Sequence, residues 1–87
     1  MPSIRFVGTC LNKDDDYDLI SENGRPSVNS PEECHQKCHG ESDCVAFRVE
    51  KPSLLRSSHG CILFAKGPYT HGNRDSSYTC YVMQGTI

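Results

Sequence analysis

An α+β fold rich in disulfides is what the sequence predicts, and three observations carry it. Six cysteines fall within 87 residues. One segment, residues 30–40, holds a full set of helix start and stop signals. The remaining apolar segments are short and are separated by polar stretches with Gly, Pro, Asn and Ser, the pattern of antiparallel strands joined by turns.

The length suits one domain, and a domain this small buries too little surface to be robust unaided. Only 36% of residues are hydrophobic, Trp is absent, and the aromatics are four Tyr and three Phe. Such a core needs covalent staples. An even number of cysteines (Cys10, Cys34, Cys38, Cys44, Cys61 and Cys80) reads as a disulfide framework formed in an oxidising compartment, so a secreted or extracellular protein is expected. The start, Met1 to Val7, lacks the apolar run of a signal peptide. No stretch approaches the roughly 20 apolar residues of a membrane span. Residues 1–87 are therefore expected to be a single module excised from a longer secreted multi-module protein, with Met1 supplied for expression. The net charge of −2 gives no drive toward nucleic acid. Residues 1–40 hold seven acidic and four basic side chains, and residues 41–87 four acidic and five basic, so anion binding is expected of the second half.

Ile4 to Gly8 alternates as a short strand. Asn12 to Asp16 is a polar loop, and Tyr17 to Ile20 a second short strand. Glu22 to Ser27 contains Asn23-Gly24 and Pro26 and reads as loop. Ser30-Pro31-Glu32-Glu33 is a capping box with Pro at the first helical position. The Ser30 hydroxyl accepts from the Glu33 N–H, Glu33 reaches back to the Ser30 N–H, and both acids suit the helix dipole. The helix is predicted to run to about His39 and stop at Gly40. Cys34 and Cys38, four apart, share one face of it. With almost no other apolar side chain, the helix has to be fixed by its two disulfides. Cys44 to Val49 reads as a strand, Lys51 to Gly60 as a polar loop, and Cys61 to Ala65 as a central strand that ends at Gly67-Pro68. A second polar loop, Thr70 to Ser77, precedes the last strand, Tyr78 to Met83.

Several chemistries can be weighed against these residues. Cys34-His35-Gln36-Lys37-Cys38-His39 has neither the second Cys pair of a zinc site nor the Cys-x-x-Cys-His of a haem site, and His35 and His39 are expected to be exposed helix residues. Asp14-Asp15-Asp16-Tyr17-Asp18 lacks the Gly and Glu of a calcium-binding loop and reads as a solvated acidic loop. No Gly-x-Ser-x-Gly elbow occurs, bridged cysteines are not nucleophiles, and no enzyme activity, metal or cofactor is expected. Binding is left. The candidate surface combines Arg48, Lys51, Lys66, Tyr69, His71 and Arg74, in which cations meet aromatic faces suited to a sugar ring or a protein interface.

Glu32-Glu33-Cys34 to Cys38, then Asp43-Cys44-Val45-Ala46-Phe47, then Gly60-Cys61-Ile62-Leu63 resembles the PAN/apple family. The resemblance spans nearly the whole chain, with Cys10 and Cys80 matching the outer bridge of the apple subtype. It implies a single α-helix packed on a twisted antiparallel sheet of about five strands. Six cysteines allow fifteen pairings; the resemblance implies Cys34–Cys61, Cys38–Cys44 and Cys10–Cys80, the last clamping the terminal strands. It also implies a protein- or carbohydrate-binding module, most similar to one repeat of an apicomplexan microneme adhesin, used in attachment to another cell and delivered through a secretory organelle. The partner would be a protein or glycan on a cell surface or a partner adhesin subunit, with the isolated module monomeric and no membrane insertion. The alternatives are a structural module that assembles its parent with a partner subunit and, more distantly, a secreted inhibitor of clotting or platelet adhesion.

Overall fold

The computed structural model describes residues 4–20, 27–51 and 58–83. In chain order the elements are β1 (Ile4–Val7), β2 (Cys10–Leu11), β3 (Asp18–Leu19), β4 (Ser27–Val28), α1 (Pro31–His39), β5 (Cys44–Glu50), β6 (His59–Ala65), β7 (His71–Gly72) and β8 (Tyr78–Val82). The main sheet is antiparallel in the order β1-β8-β5-β6-β3, with β4 also paired to β6. β2 and β7 form a separate two-stranded ribbon. The fold is thus α+β, one helix against an antiparallel sheet.

The helix begins and ends where its signals lie. Ser30 is the N-cap in extended backbone, its hydroxyl accepts from the Glu33 N–H at 3.3 Å, and Pro31 opens the first turn. The return arm of the capping box lands one residue earlier than expected: Glu33 Oε1 accepts from the Asn29 N–H at 2.8 Å. Gly40 closes the helix with φ −79°, donating to carbonyls of the last turn rather than taking the left-handed form. Cys34 and Cys38 are the buried residues of α1. His39 is exposed, whereas His35, expected to be exposed too, is half-buried. Its ring lies 5.8 Å from that of Phe47, and burial holds its pKa below the usual value, with His39 adding to the effect.

Three bridges join Cys34 to Cys61, Cys38 to Cys44 and Cys10 to Cys80, and no cysteine is free. The first pins α1 to β6 and the second ties its end to the start of β5. The third differs in what it clamps: Cys10 belongs to the ribbon, so this bridge fastens the ribbon to β8 rather than one terminal strand to the other. All six cysteines are buried, and they are built into both core clusters. Beneath α1 lie Val28, Phe47, Val49 and four cysteines. The second cluster gathers Ala46, Phe64, Tyr69, Cys10 and Cys80.

Three short strands lie where loop is predicted or no strand is expected. β2 covers Cys10 and Leu11, for which no element is predicted, β7 falls inside the predicted loop Thr70 to Ser77, and β4 begins at Ser27, the last residue of the predicted loop Glu22 to Ser27, whose residues 22–26 lie outside the described residues. Each is two residues long and carries no alternation to read. The ribbon depends on a close approach at Gly72, where a Cβ would run into the Val7 carbonyl. β6 begins at His59, two residues before the predicted start, and residues 52–57 of the loop before it also lie outside the described residues.

Two stability outcomes follow. Ser30→Ala lowers the unfolding free energy by about 1 kcal/mol, read by urea denaturation under non-reducing conditions. Replacing Cys34 and Cys61 together by Ala costs about 2–4 kcal/mol and removes the helical circular dichroism signal first, because α1 lacks an apolar stripe to hold it on β6.

Candidate functional site

The six residues expected to form one surface do not form one. Lys66 follows β6 directly and Lys51 follows β5. These strands are antiparallel, with Cys44 opposite Ala65 and Glu50 opposite Gly60, so the two lysines sit at opposite ends of the sheet, roughly 20 Å apart at the rise of a strand. Arg48 is half-buried. Its guanidinium donates to Thr9 Oγ1 at 3.1 Å and lies 4.3 Å from the centre of the Tyr78 ring, so it braces the ribbon approach against β8. Arg74 is exposed in left-handed backbone, φ 69°, and its N–H donates to the Val7 carbonyl.

Tyr69 departs most from expectation. It is 5% exposed, and its ring meets Phe64 edge-on at 5.5 Å. The phenol oxygen accepts from the Asp18 N–H at 3.1 Å, and the hydroxyl donates to the Ala65 carbonyl. Tyr69 therefore ties the β3 edge to the end of β6 from inside the core. Its aromatic character was readable in the sequence, but its direction was set by the turn at Lys66-Gly67-Pro68.

His71 makes a different arrangement. Its Nε2 is 2.6 Å from Asp15 Oδ1 and its Nδ1 is 3.0 Å from Thr70 Oγ1. Hydroxyl, imidazole and carboxylate thus follow one another as nucleophile, base and orienting acid do. The side chains of His71 and Asp15 are 40% and 77% exposed, however. Water at that exposure removes the low dielectric that gives such a relay its power. What the contact does is hold the acidic loop, already folded around Asn12 Oδ1 by the N–H groups of Asp14 and Asp16, against β7.

Among the described residues, a groove of about 590 Å³ is lined by Leu19, Ile20, Ser42, Asp43, Val45, Ala65 and Lys66. Each wall has a local cause. Ser42 and Asp43 lie in the short connection closed by the Cys38–Cys44 bridge. Val45 sits at a register shift in which Cys44 pairs with Ala65 and Ala46 with Phe64, a bulge that re-aims the intervening side chain. Lys66 has φ 73° and is followed by Gly67 at φ 54°, where a Cβ would come within 3.1 Å of Val45 Cγ2. Leu19 on the edge strand β3 is 51% exposed. Asp43 and Lys66 make no ion pair with each other among the described residues, so one carboxylate and one ammonium face the groove beside apolar walls. Of the expected binding residues, Lys66 alone lines the groove, and Tyr69 shapes it from behind. Val45, Asp43 and Leu19 were missed. The bulge that turns Val45 toward the groove leaves no mark in a run that reads as regular strand.

Tyr69→Phe removes the clamp and lowers stability by about 1–2 kcal/mol, measurable by thermal or urea unfolding. Burial raises the Tyr69 pKa above the usual 10. Its contribution is therefore complete below about pH 10, the value in the unfolded chain, and is lost as pH rises from there through the folded-state pKa. The phenylalanine variant loses less stability than the parent across that alkaline range.

The described residues contain no helix long and apolar enough to cross a membrane. Three bridges in so short a chain suit an extracellular or secreted setting. No curated protein and no solved structure matched the chain. A family model for the PAN domain matches residues 13–64, more than half of the sequence, and that span contains α1, the Cys34–Cys61 and Cys38–Cys44 bridges, β5 and all of β6 but its last residue. The chain belongs to the PAN domain family, whose members are protein- or carbohydrate-binding modules and typically not catalysts.

Proposed function

We propose that this PAN module is an extracellular adhesion unit that seats a protein ligand in the groove between the β3 edge and the segment around Val45. One observation supports this above others: Asp43 and Lys66 flank exposed Leu19 and half-buried Val45, without pairing to each other. Apolar contact supplies affinity while two opposite charges fix orientation, the division of labour found at small protein anchors. The groove lining contains no aromatic ring, so the stacking platform that favours a sugar is missing from its walls. The role that fits is attachment to another cell's surface after release from a secretory organelle, with weak single contacts strengthened by repetition. The clotting or platelet inhibitor has no observation in its favour beyond the family resemblance.

Assembly with a partner subunit is the second reading. It is favoured by exposed Tyr17 and Leu19 beside and on the short edge strand β3, which leave a patch a partner strand or loop could cover.

A fluorescent tetramer of the module, applied to cells and to a glycan array, tests the proposal. Asp43→Lys or Lys66→Glu weakens cell binding about tenfold or more, as expected for loss of a charged contact. Lys51→Glu, at the far end of the sheet, leaves it unchanged. Cell binding that survives both groove variants overturns the groove as the seat. Array signals that the groove variants abolish replace the protein ligand with a glycan. Binding confined to a co-purifying subunit favours the assembly reading.

A further inference from the structure

We propose that His35 and His39 of α1 form a two-imidazole site for a divalent transition-metal ion, copper, nickel or zinc, at the surface of the helix. The two residues are four apart and so stand one above the other across a single turn. Their rings are 6.4 Å apart between centroids, tilted 45°. Modest side-chain rotation brings one nitrogen from each to the roughly 2.0–2.1 Å that such an ion requires.

What singles this pair out is its surroundings. Each histidine directly follows a bridged cysteine, Cys34 or Cys38, on the buried face. Two disulfides therefore hold this short polar helix in place, and with it the spacing of the two imidazoles. A pair on a fraying helix would first have to order it; here that ordering is already in the fold. The ring of His35 rests near Phe47, which is itself stacked on Tyr81 at 5.0 Å, so one ligand is steadied from below. No hydrogen bond within the described residues occupies a ring nitrogen of either histidine, and neither residue has a buried, unsatisfied ring nitrogen. His59 and His71 differ: His59 has a buried Nδ1 with no partner, and both nitrogens of His71 are engaged.

The thiols beside the histidines are all oxidised, so they cannot serve as ligands, and the donor set is nitrogen alone. Imidazole donors suit copper, nickel and zinc. The described residues contain no cluster of three or more side chains that could enclose an ion. Two protein ligands thus leave the remaining coordination positions to water or to a donor from a binding partner. This is an open, exchangeable site, unlike a structural zinc centre with four protein ligands.

The test uses the full, tag-free, oxidised chain with nickel chloride, copper chloride and zinc chloride. Calorimetry reads affinity, and nuclear magnetic resonance follows the imidazole protons during nickel titration. Single-site binding is expected, with broadening that starts at His35 and His39, and a melting temperature that rises with metal. His39→Gln, at an exposed position, weakens binding at least about tenfold by removing one of two metal–nitrogen bonds. The same follows for His35→Gln. A circular dichroism spectrum matching the parent shows that the variants keep the helix. The proposal is overturned if millimolar metal leaves the imidazole signals unmoved, if broadening centres on His59 or His71, or if His39→Gln binds as tightly as the parent.

Discussion

The structure depends on two covalent anchors at one helix face. α1 carries a capping box, a Pro at its first position and acidic side chains in its first turn, so it has every local reason to start where it does. It has little reason to stay against the sheet, because Cys34 and Cys38 are the buried residues it offers. Packing of an amphipathic face is the usual source of helix stability in a domain. Here sulfur replaces it. The six half-cystines are also a large part of the buried apolar material, so the bridges and the core are one thing. Reduction would remove cross-links and, by freeing the helix, open the cluster around Phe47 and Val49 to water.

The two clusters divide the work. The one under α1 fixes the helix. The one on the other side of the sheet, around Phe64 and Tyr69, fixes the turn after β6 and the edge strand β3. The groove borrows from both: its Ser42 and Asp43 wall is held by the Cys38–Cys44 bridge, and its Lys66 and Leu19 walls by the Tyr69 clamp. A groove with few residues of its own is thus backed by nearly the whole domain.

Much of the frame was legible in the sequence, and the reasons differ by element. The helix bounds were readable because caps are local chemistry, set by Ser30, Pro31 and Gly40 alone. β5, β6 and β8 were readable because each has enough apolar residues to show. The pairing of cysteines was not readable from spacing, and the family resemblance had to supply it. β2, β4 and β7 were lost because a two-residue strand has no period, and its partner is far away in sequence. The candidate groove was the least legible part. Arg48 and Tyr69 look like recognition residues when written in a row, yet the guanidinium stacks on Tyr78 and the phenol faces Ala65. Long-range contacts decide which way such amphipathic side chains point. The groove itself comes from a bulge and a left-handed lysine, neither of which has a signature in the residue types present.

One row of the sheet connects matters that otherwise look separate. Ile4 pairs with Val82, Val82 with Ala46, Ala46 with Phe64, and Phe64 with Leu19. Ile4 and Val82 therefore lie at the same end of the sheet as the groove, Ile4 on the opposite edge strand and Val82 one strand further in. Four strand spacings, about 19 Å, separate Ile4 from Leu19, but Val82 on β8 is a direct neighbour of Ala46 on β5. The Met83 N–H donates to the Val45 carbonyl at 2.9 Å, so the end of β8 adjoins one wall of the groove. Packing at the Met83 end of β8 is therefore a lever on the shape of the groove, reached from the opposite half of the sheet.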